Sequence, residues 1–354
     1  MSLYCSFMKY QMMIDLKQHG KNKIAPCCHF EENIGLEQFE EKRKFYFKQL
    51  MNDVRIEPCK HCWAAEDAGI TSIRQSSYNW EPSDGGEGIK RLDVRIHNKC
   101  NLACTMCYSG ASNLWGKLEG EDTFRMLSSE ELDFIREQSS NVTHISFQGG
   151  EPFYGSDYDD FLMSLPNLNK MSIDVFTNVI SVTESVLNRW IKSVRRLDVN
   201  ASVDGYGEVY DSIRWPTKWS KFEKKAIMIY NTVDRFRLCY FWVMQAENAH
   251  NVFDFIKWRN ENTPDSRLVL STVMGSTELG LYSMTSAEQS KFIENYKLYK
   301  DSVTDKYLEI HGNEYNQLAA MYNIIYKLEP DVDLIEKRFN KMEYIKDLRK
   351  DYNV

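Results

Sequence analysis

The stretch KCNLACTMC sets three thiols, Cys100, Cys104 and Cys107, in one short loop. Two kinds of metal chemistry use such a set. Iron-sulfur clusters are held by cysteine thiolates, and three protein ligands to four irons leave one iron open to a small molecule. A closed zinc site wants a fourth ligand, and the nearest candidate, His97, falls on the strand side of the loop. A second group of cysteines lies upstream: Cys5, the adjacent Cys27 and Cys28, and Cys59 with Cys62 as a CxxC pair. His29 and His61 accompany them, so both an iron-sulfur cluster and zinc suit the residue types. Five cysteines stand for four positions, and the Pro26-Cys27 context favours Cys27 over Cys28. Cys239, inside the apolar run FRLCYFWVM, reads as a buried small residue.

The elements that must position this loop follow from periodicity. Six β-rich segments recur: RLDVRI (91–96), THISF (143–147), SIDVFT (172–177), RLDVNASV (196–203), FRLCYFWVM (236–244) and SRLVLSTV (266–273). Between them fall the helix candidates SSEELDFIREQ, DYDDFLMSL, ESVLNRWIKSV, WSKFEKKAIMIY and NVFDFIKWR, with Ser128 and Glu131 spaced as a capping box. Strands alternating with helices predict a parallel α/β fold, as an open sheet or a barrel. The three-cysteine loop follows the first of these strands, at the strand end where parallel α/β folds carry their chemistry. Residues 1–89 are predicted to form a separate cysteine-rich module, ending in the turn-rich PSDGGEG. Residues 90–283 form the α/β core, and 284–354 a helical C-terminal extension opening on a capping box of Ser286 and Gln289.

Composition narrows the function classes. With 354 residues, 43% hydrophobic and 27% charged, the chain lies far from the disordered regime and can build a sizeable core. A net charge of -7 and a pI near 5.6 oppose nonspecific attraction to nucleic acid. No stretch reads as a secretory or membrane-spanning segment, and nine cysteines without an export signal suit a reducing compartment, which is taken as the cytoplasm.

The CxxxCxxC spacing resembles the cluster loop of the radical S-adenosylmethionine superfamily, and further motifs fall in that family's order. In QGGEP, Gly149, Gly150 and Glu151 look like the GGE motif that contacts the amino group of S-adenosylmethionine; glycines permit close backbone approach and a carboxylate pairs with an ammonium. Thr177 and Asn178 resemble a Thr-Asn-Gly element in which Val179 stands where glycine is usual. Ser202 and Asp204 in ASVDG resemble the ribose-contacting segment. Arg214 resembles an arginine that grips the cofactor's carboxylate, a natural bidentate pairing, although a surface ion pair is an equal reading. Met106 stands where many relatives carry an aromatic residue, with Tyr108 following, and methionine can pack on adenine.

The resemblance implies a partial (β/α)6 TIM-type barrel, a 4Fe-4S cluster on Cys100, Cys104 and Cys107, S-adenosyl-L-methionine as cofactor, and a flavodoxin- or ferredoxin-like electron donor. The upstream cysteines are similar in order to a twitch or SPASM-type module, which implies an auxiliary 4Fe-4S cluster on four of Cys5, Cys27, Cys28, Cys59 and Cys62, with zinc as the alternative. The implied reaction is hydrogen abstraction by a 5'-deoxyadenosyl radical from a peptide or protein side chain. Alternatives are a sugar, nucleotide or other small-molecule substrate, and a non-catalytic metal-binding protein. Arg74, Arg95 and Trp115 are candidate pocket residues, each equally readable as an ordinary residue of the fold.

Overall fold

All six strand candidates are strands in the computed structural model, which describes residues 3–16, 22–69, 71–79, 82, 86–273, 277–350 and 352. They are β3 (Arg91–Arg95), β4 (His144–Gln148), β5 (Ser172–Thr177), β6 (Arg196–Ser202), β7 (Leu238–Met244) and β8 (Arg267–Thr272). Two more precede them, β1 (Gln11–Asp15) and β2 (Lys23–Ala25). The result is a mixed α/β fold with an eight-stranded sheet in the order β2-β1-β3-β4-β5-β6-β7-β8. β1 pairs antiparallel with β2 and parallel with β3, and β3–β4, β4–β5, β6–β7 and β7–β8 pair in parallel.

The segment expected as a separate module, residues 1–89, pairs with the strands that follow it. Gln11 to Ile14 lie in register with Arg91 to Val94, so this segment supplies strands to the same sheet. Its first strand shows no alternation because Gln11, Met12, Met13 and Ile14 are all buried, as befits a parallel-paired strand covered on both faces. By contact density the chain divides into two units, Met1–Asn98, Phe124–Val175 and Lys192–Leu197, and Lys99–Thr123, Phe176–Ile191 and Asp198–Val354. Neither division falls at residue 89 or 283.

In the first unit, Leu92, Val94, Ile145, Phe147, Ile173 and Val175 are completely buried, each contributing about 1.5–3 kcal/mol by leaving water. The alternate positions are polar. Arg91, Asp93 and Arg95 lie opposite His144, Ser146 and Gln148, and Ser146 lies opposite Asp174. Arg95 donates to Asp15 at 2.9 Å and to Gln148 at 3.2 Å, and His144 meets Asp174 at 2.8 Å. A parallel strand buried on both faces would read as an unbroken apolar run, so the RLDVR and HISFQ alternation reserves one face for these groups.

In the second unit, helices Trp219–Thr232 and Val252–Asn262 bury an aromatic cluster that includes Phe222, Tyr240, Phe255 and Trp258. The expected helical extension is present as Ser286–Ser302, Asp305–Tyr326 and Val332–Lys350. Its capping box is Thr285 with Glu288, one residue earlier than the Ser286 and Gln289 spacing suggested; Gln289 is instead buried and donates to the Met284 carbonyl. The Ser128 and Glu131 box is as expected. No helix among the described residues is long and apolar enough to cross a membrane.

Candidate metal centre

The three-cysteine loop leaves β3 and runs into helix Asn113–Leu118. Its backbone is held on all sides. The Cys100 amide donates to Asn113 Oδ1 at 3.0 Å, and the amides of Ala103 and Thr105 donate to the carbonyls of Trp215 and Ile213 at 2.8 and 3.0 Å. Ser112 Oγ donates to the Leu102 carbonyl at 2.7 Å, and Trp115 Nε1 to that of Cys104 at 2.9 Å. Trp115 thus supports the loop from beneath.

Cys104 is buried, and Cys100 and Cys107 are partly exposed. Burial pushes the Cys104 thiol up, the Arg214 guanidinium draws it back, and Arg349 acts in the same sense as Arg214. Burial, and then Cys104 beside it, push Cys107 up to about 12. A bound cation is what such a crowded, desolvated set of sulfurs needs in order to exist as thiolates. Met106 is half-buried beside Cys107, and Tyr108 is exposed.

The element at the end of β5 reaches the loop. Asn178 Nδ2 donates to Asn101 Oδ1 at 2.7 Å and lies 4.0 Å from the Cys100 sulfur, while Thr177 Oγ1 accepts from the Val179 amide at 2.9 Å. Val179 adopts φ 63°, the left-handed backbone that glycine takes freely and that costs a β-branched residue about 1–3 kcal/mol.

At the end of β6, Asp204 also has a left-handed backbone, φ 47°, and is fully buried. Its Oδ1 accepts from the Val243 amide at 2.6 Å, its Oδ2 pairs with Arg214 Nη2, and its carbonyl accepts from Asn248 at 3.0 Å. Burial works against the Arg214 charge, but Asp204 and then Cys104 outweigh it and hold the guanidinium above its ordinary value. Ser202 remains half-buried at the strand end. Gln245, which accepts from Thr105 Oγ1 at 3.5 Å, is a neighbour that the motifs did not mark.

Buried donors in this neighbourhood with no acceptor among the described residues include Arg214 Nε, Gln245 Nε2, the Tyr210 hydroxyl and Arg349 Nε. Each such group costs about 1–3 kcal/mol if left unmade. Three thiols with unmatched donors nearby fit an iron-sulfur cluster with an anionic ligand such as a carboxylate.

The GGE motif lies in the first unit. Gly149 has φ 137°, and a Cβ there would fall 2.3 Å from the Tyr158 hydroxyl and 2.8 Å from the His97 carbonyl. The Gly150 amide donates to that same carbonyl at 3.0 Å. Glu151 is fully buried and accepts from the Phe153 amide at 3.1 Å. The His97 side chain is buried and faces Asp157 at 3.3 Å.

Four of the upstream cysteines, Cys5, Cys27, Cys59 and Cys62, are buried. Burial raises all four thiols, with further increments on Cys27 from Cys5, Cys28 and Cys59, and on Cys59 from Cys5 and Cys62. The Cys28 residue is exposed, yet burial raises its thiol too, followed by Asp93, with Arg95 and Lys23 drawing it back. His61 pairs with Glu31 at 2.7 Å, its ring 6.1 Å from that of His29. Arg74 is buried, held by Glu66 at 2.8 Å and by the Tyr4 carbonyl at 2.7 Å, so it serves the fold. No three or more His, Cys, Asp or Glu among the described residues close on a single-ion site; ligands of a cubane stand apart by the width of the cluster, each on its own iron.

On the polar sheet face, burial raises Asp93 to about 6 against the pull of Arg95 and Arg91. A carboxyl that binds its proton more tightly when folded loses stability as pH rises from about 4 through 6. Asp93→Asn is therefore expected to raise the melting temperature at pH 7 to 8 and to change it little at pH 4; equal shifts at both values would contradict the assignment.

Residues 94–256 match the family model described as the Radical SAM superfamily. Among curated proteins, one from Methanocella arvoryzae described as "Probable GTP 3',8-cyclase" is 30% identical over 121 residues, which are 32% of this chain and 36% of that protein. The chain thus spans about a third of that relative's length. Among solved structures, native anSMEcpe with bound AdoMet is 19% identical, with 60% of this chain and 61% of that chain covered and a TM-score of 0.44. SuiB of Streptococcus suis bound to S-adenosylmethionine is 14% identical, with 74% and 62% covered and a TM-score of 0.41.

Proposed function

From the match of residues 94–256 to the Radical SAM superfamily model we propose that the chain is a member of that superfamily and that Cys100, Cys104 and Cys107 hold a 4Fe-4S cluster for the reductive cleavage of S-adenosylmethionine. Such a cluster would supply one electron, drawn from an external flavodoxin- or ferredoxin-like donor, for cleaving S-adenosylmethionine into methionine and a 5'-deoxyadenosyl radical able to take a hydrogen atom from substrate. The observation that carries this reading is the three-thiol loop with Arg214 Nε, Gln245 Nε2 and the Tyr210 hydroxyl unmatched among the described residues.

The chain's residues then take distinct tasks. Arg214 meets the cofactor's carboxylate and Glu151 its ammonium. Asp204, whose two oxygens are already engaged, aims Arg214, and the ribose contact falls to Ser202. Met106 and Tyr108 flank the adenine. Thr177 and Asn178 brace the loop at Cys100, and Gly149 and Gly150 permit the close packing that sets Glu151. Deoxyadenosine released from anaerobically reconstituted protein under strong reductant tests the proposal; its absence from fully iron-loaded protein would favour the non-catalytic metal-binding alternative.

The substrate we favour is a peptide or protein side chain. On the first unit's polar face, Arg91 and Arg95 stand among Asp15, Asp93 and Asp174, a mixed set that suits paired donors and acceptors better than a polyphosphate. A nucleotide is the second reading, favoured by the relative described as "Probable GTP 3',8-cyclase".

For the upstream cysteines we favour an auxiliary 4Fe-4S cluster on Cys5, Cys27, Cys59 and Cys62, with Cys28 outside it. Protein lacking Cys100, Cys104 and Cys107 should keep about four irons per chain, and Cys59→Ala with Cys62→Ala should remove them. Elemental analysis after anaerobic purification with both metals present decides: stoichiometric zinc without iron or sulfide would replace the auxiliary cluster with a zinc site.

A further inference from the structure

Three successive carbonyls of the cysteine loop are each fixed by a side chain. Those of Leu102 and Cys104 accept from Ser112 and Trp115, near in sequence. The carbonyl between them, Ala103, accepts from Arg349 Nη2 at 2.6 Å. Arg349 Nη1 donates to the Ser212 carbonyl at 2.8 Å, and the guanidinium lies 5.4 Å from the ring centre of Trp215, whose own carbonyl receives the Ala103 amide. One planar fork thus ties both backbone segments that frame the loop.

The helix that carries Arg349, Val332–Lys350, is itself anchored. Arg338 is buried and donates to both Glu288 oxygens at 3.0 and 2.9 Å, and Lys341 meets Glu278 at 2.6 Å. Ile345 is buried against Ala103 and Trp115, with Met342, Leu348 and Cys107 packed around them. The contact is therefore part of a packed interface and not a stray surface bond. No motif of the resemblance includes this helix.

We propose that Arg349 is a positioning residue of the cysteine loop, holding the backbone between Cys100 and Cys104 in the ligating shape and keeping a fixed positive charge beside the centre. The inference rests on the cluster reading given above. Guanidinium remains charged at any working pH. Adding an electron makes a cluster more negative, and cluster potentials respond to nearby charge and hydrogen bonding. Arg349 therefore favours the reduced state, while its fork favours one loop geometry.

Two variants separate charge from shape. Arg349→Gln removes the charge and the double fork, and Arg349→Lys keeps the charge without the fork. Reconstituted protein is titrated electrochemically while following the EPR signal that changes on adding S-adenosylmethionine, and hydrogen exchange of the loop amides is measured on metal-free protein. The expected result is a lower midpoint potential for Arg349→Gln at undiminished iron content, a midpoint close to that of the unaltered protein for Arg349→Lys, and several-fold faster exchange around Ala103 in both. Unchanged exchange in both variants overturns the positioning role, and an unchanged midpoint in Arg349→Gln overturns the charge role. Failure of the unaltered protein to hold iron on the three cysteines would instead sink the cluster reading, leaving the exchange measurement to decide the role of Arg349.

Discussion

Cys104→Ala is expected to abolish 5'-deoxyadenosine release, a fall on the order of a thousandfold or more, as when a group on which the whole reaction depends is removed. Cys104 is the buried member of the three. Its carbonyl is fixed by Trp115, and the same carbonyl accepts the Cys107 amide at 2.9 Å. Both bonds involve backbone of residue 104, so alanine preserves the loop and removes only the sulfur. The variant should keep its circular dichroism and lose the iron assigned to this site. Persistent cleavage of S-adenosylmethionine in the triple alanine variant of Cys100, Cys104 and Cys107 would defeat the mechanism.

Asp204→Ala should be among the most destabilising substitutions in the chain. Asp204 has no exposed surface and the Arg214 side chain is 11% exposed, so removing the carboxylate leaves a guanidinium buried without its counter-charge, at about 3–5 kcal/mol. The Val243 amide loses its acceptor as well. Denaturant unfolding should show the loss, and Asp204→Ala with Arg214→Ala together should cost less than the sum of the two, because neither charge is then stranded. Cofactor binding separates the structural from the functional task. If Arg214 meets the carboxylate of S-adenosylmethionine, Arg214→Ala weakens binding by about tenfold or more, the worth of one charge-assisted contact. Calorimetric affinity unchanged in folded Arg214→Ala would confine the pair to the fold.

Strands such as β3 and β4 were legible because RLDVR and HISFQ alternate, and β7 because LCYFWVM is a long β-rich apolar run. The strand QMMID was not, since a strand covered on both sides leaves no period to detect. At Thr285 the helix start shifted by one because two overlapping polar triplets compete, and Glu288 can accept from Thr285 where Gln289 turns inward. The cysteine loop and GGE motif declare themselves by residue type. The engagement of both Asp204 oxygens was not legible, because its left-handed backbone and the approach of Val243 are tertiary facts. Nothing in the local sequence marks Arg349, whose partner is reached only through the fold.

Ala103 and Arg349 lie 246 residues apart. At synthesis rates of about 5–20 residues per second, roughly 12 to 50 seconds separate their translation. Until then the emerging chain carries its three reactive thiols on a loop whose middle carbonyl has water as its partner. Asn113, Ser112 and Trp115 can assemble their share of the cradle early; the final clasp arrives only with the last helix. The cysteine loop is thus made early and finished late, its last backbone contact waiting on a residue translated long after the thiols.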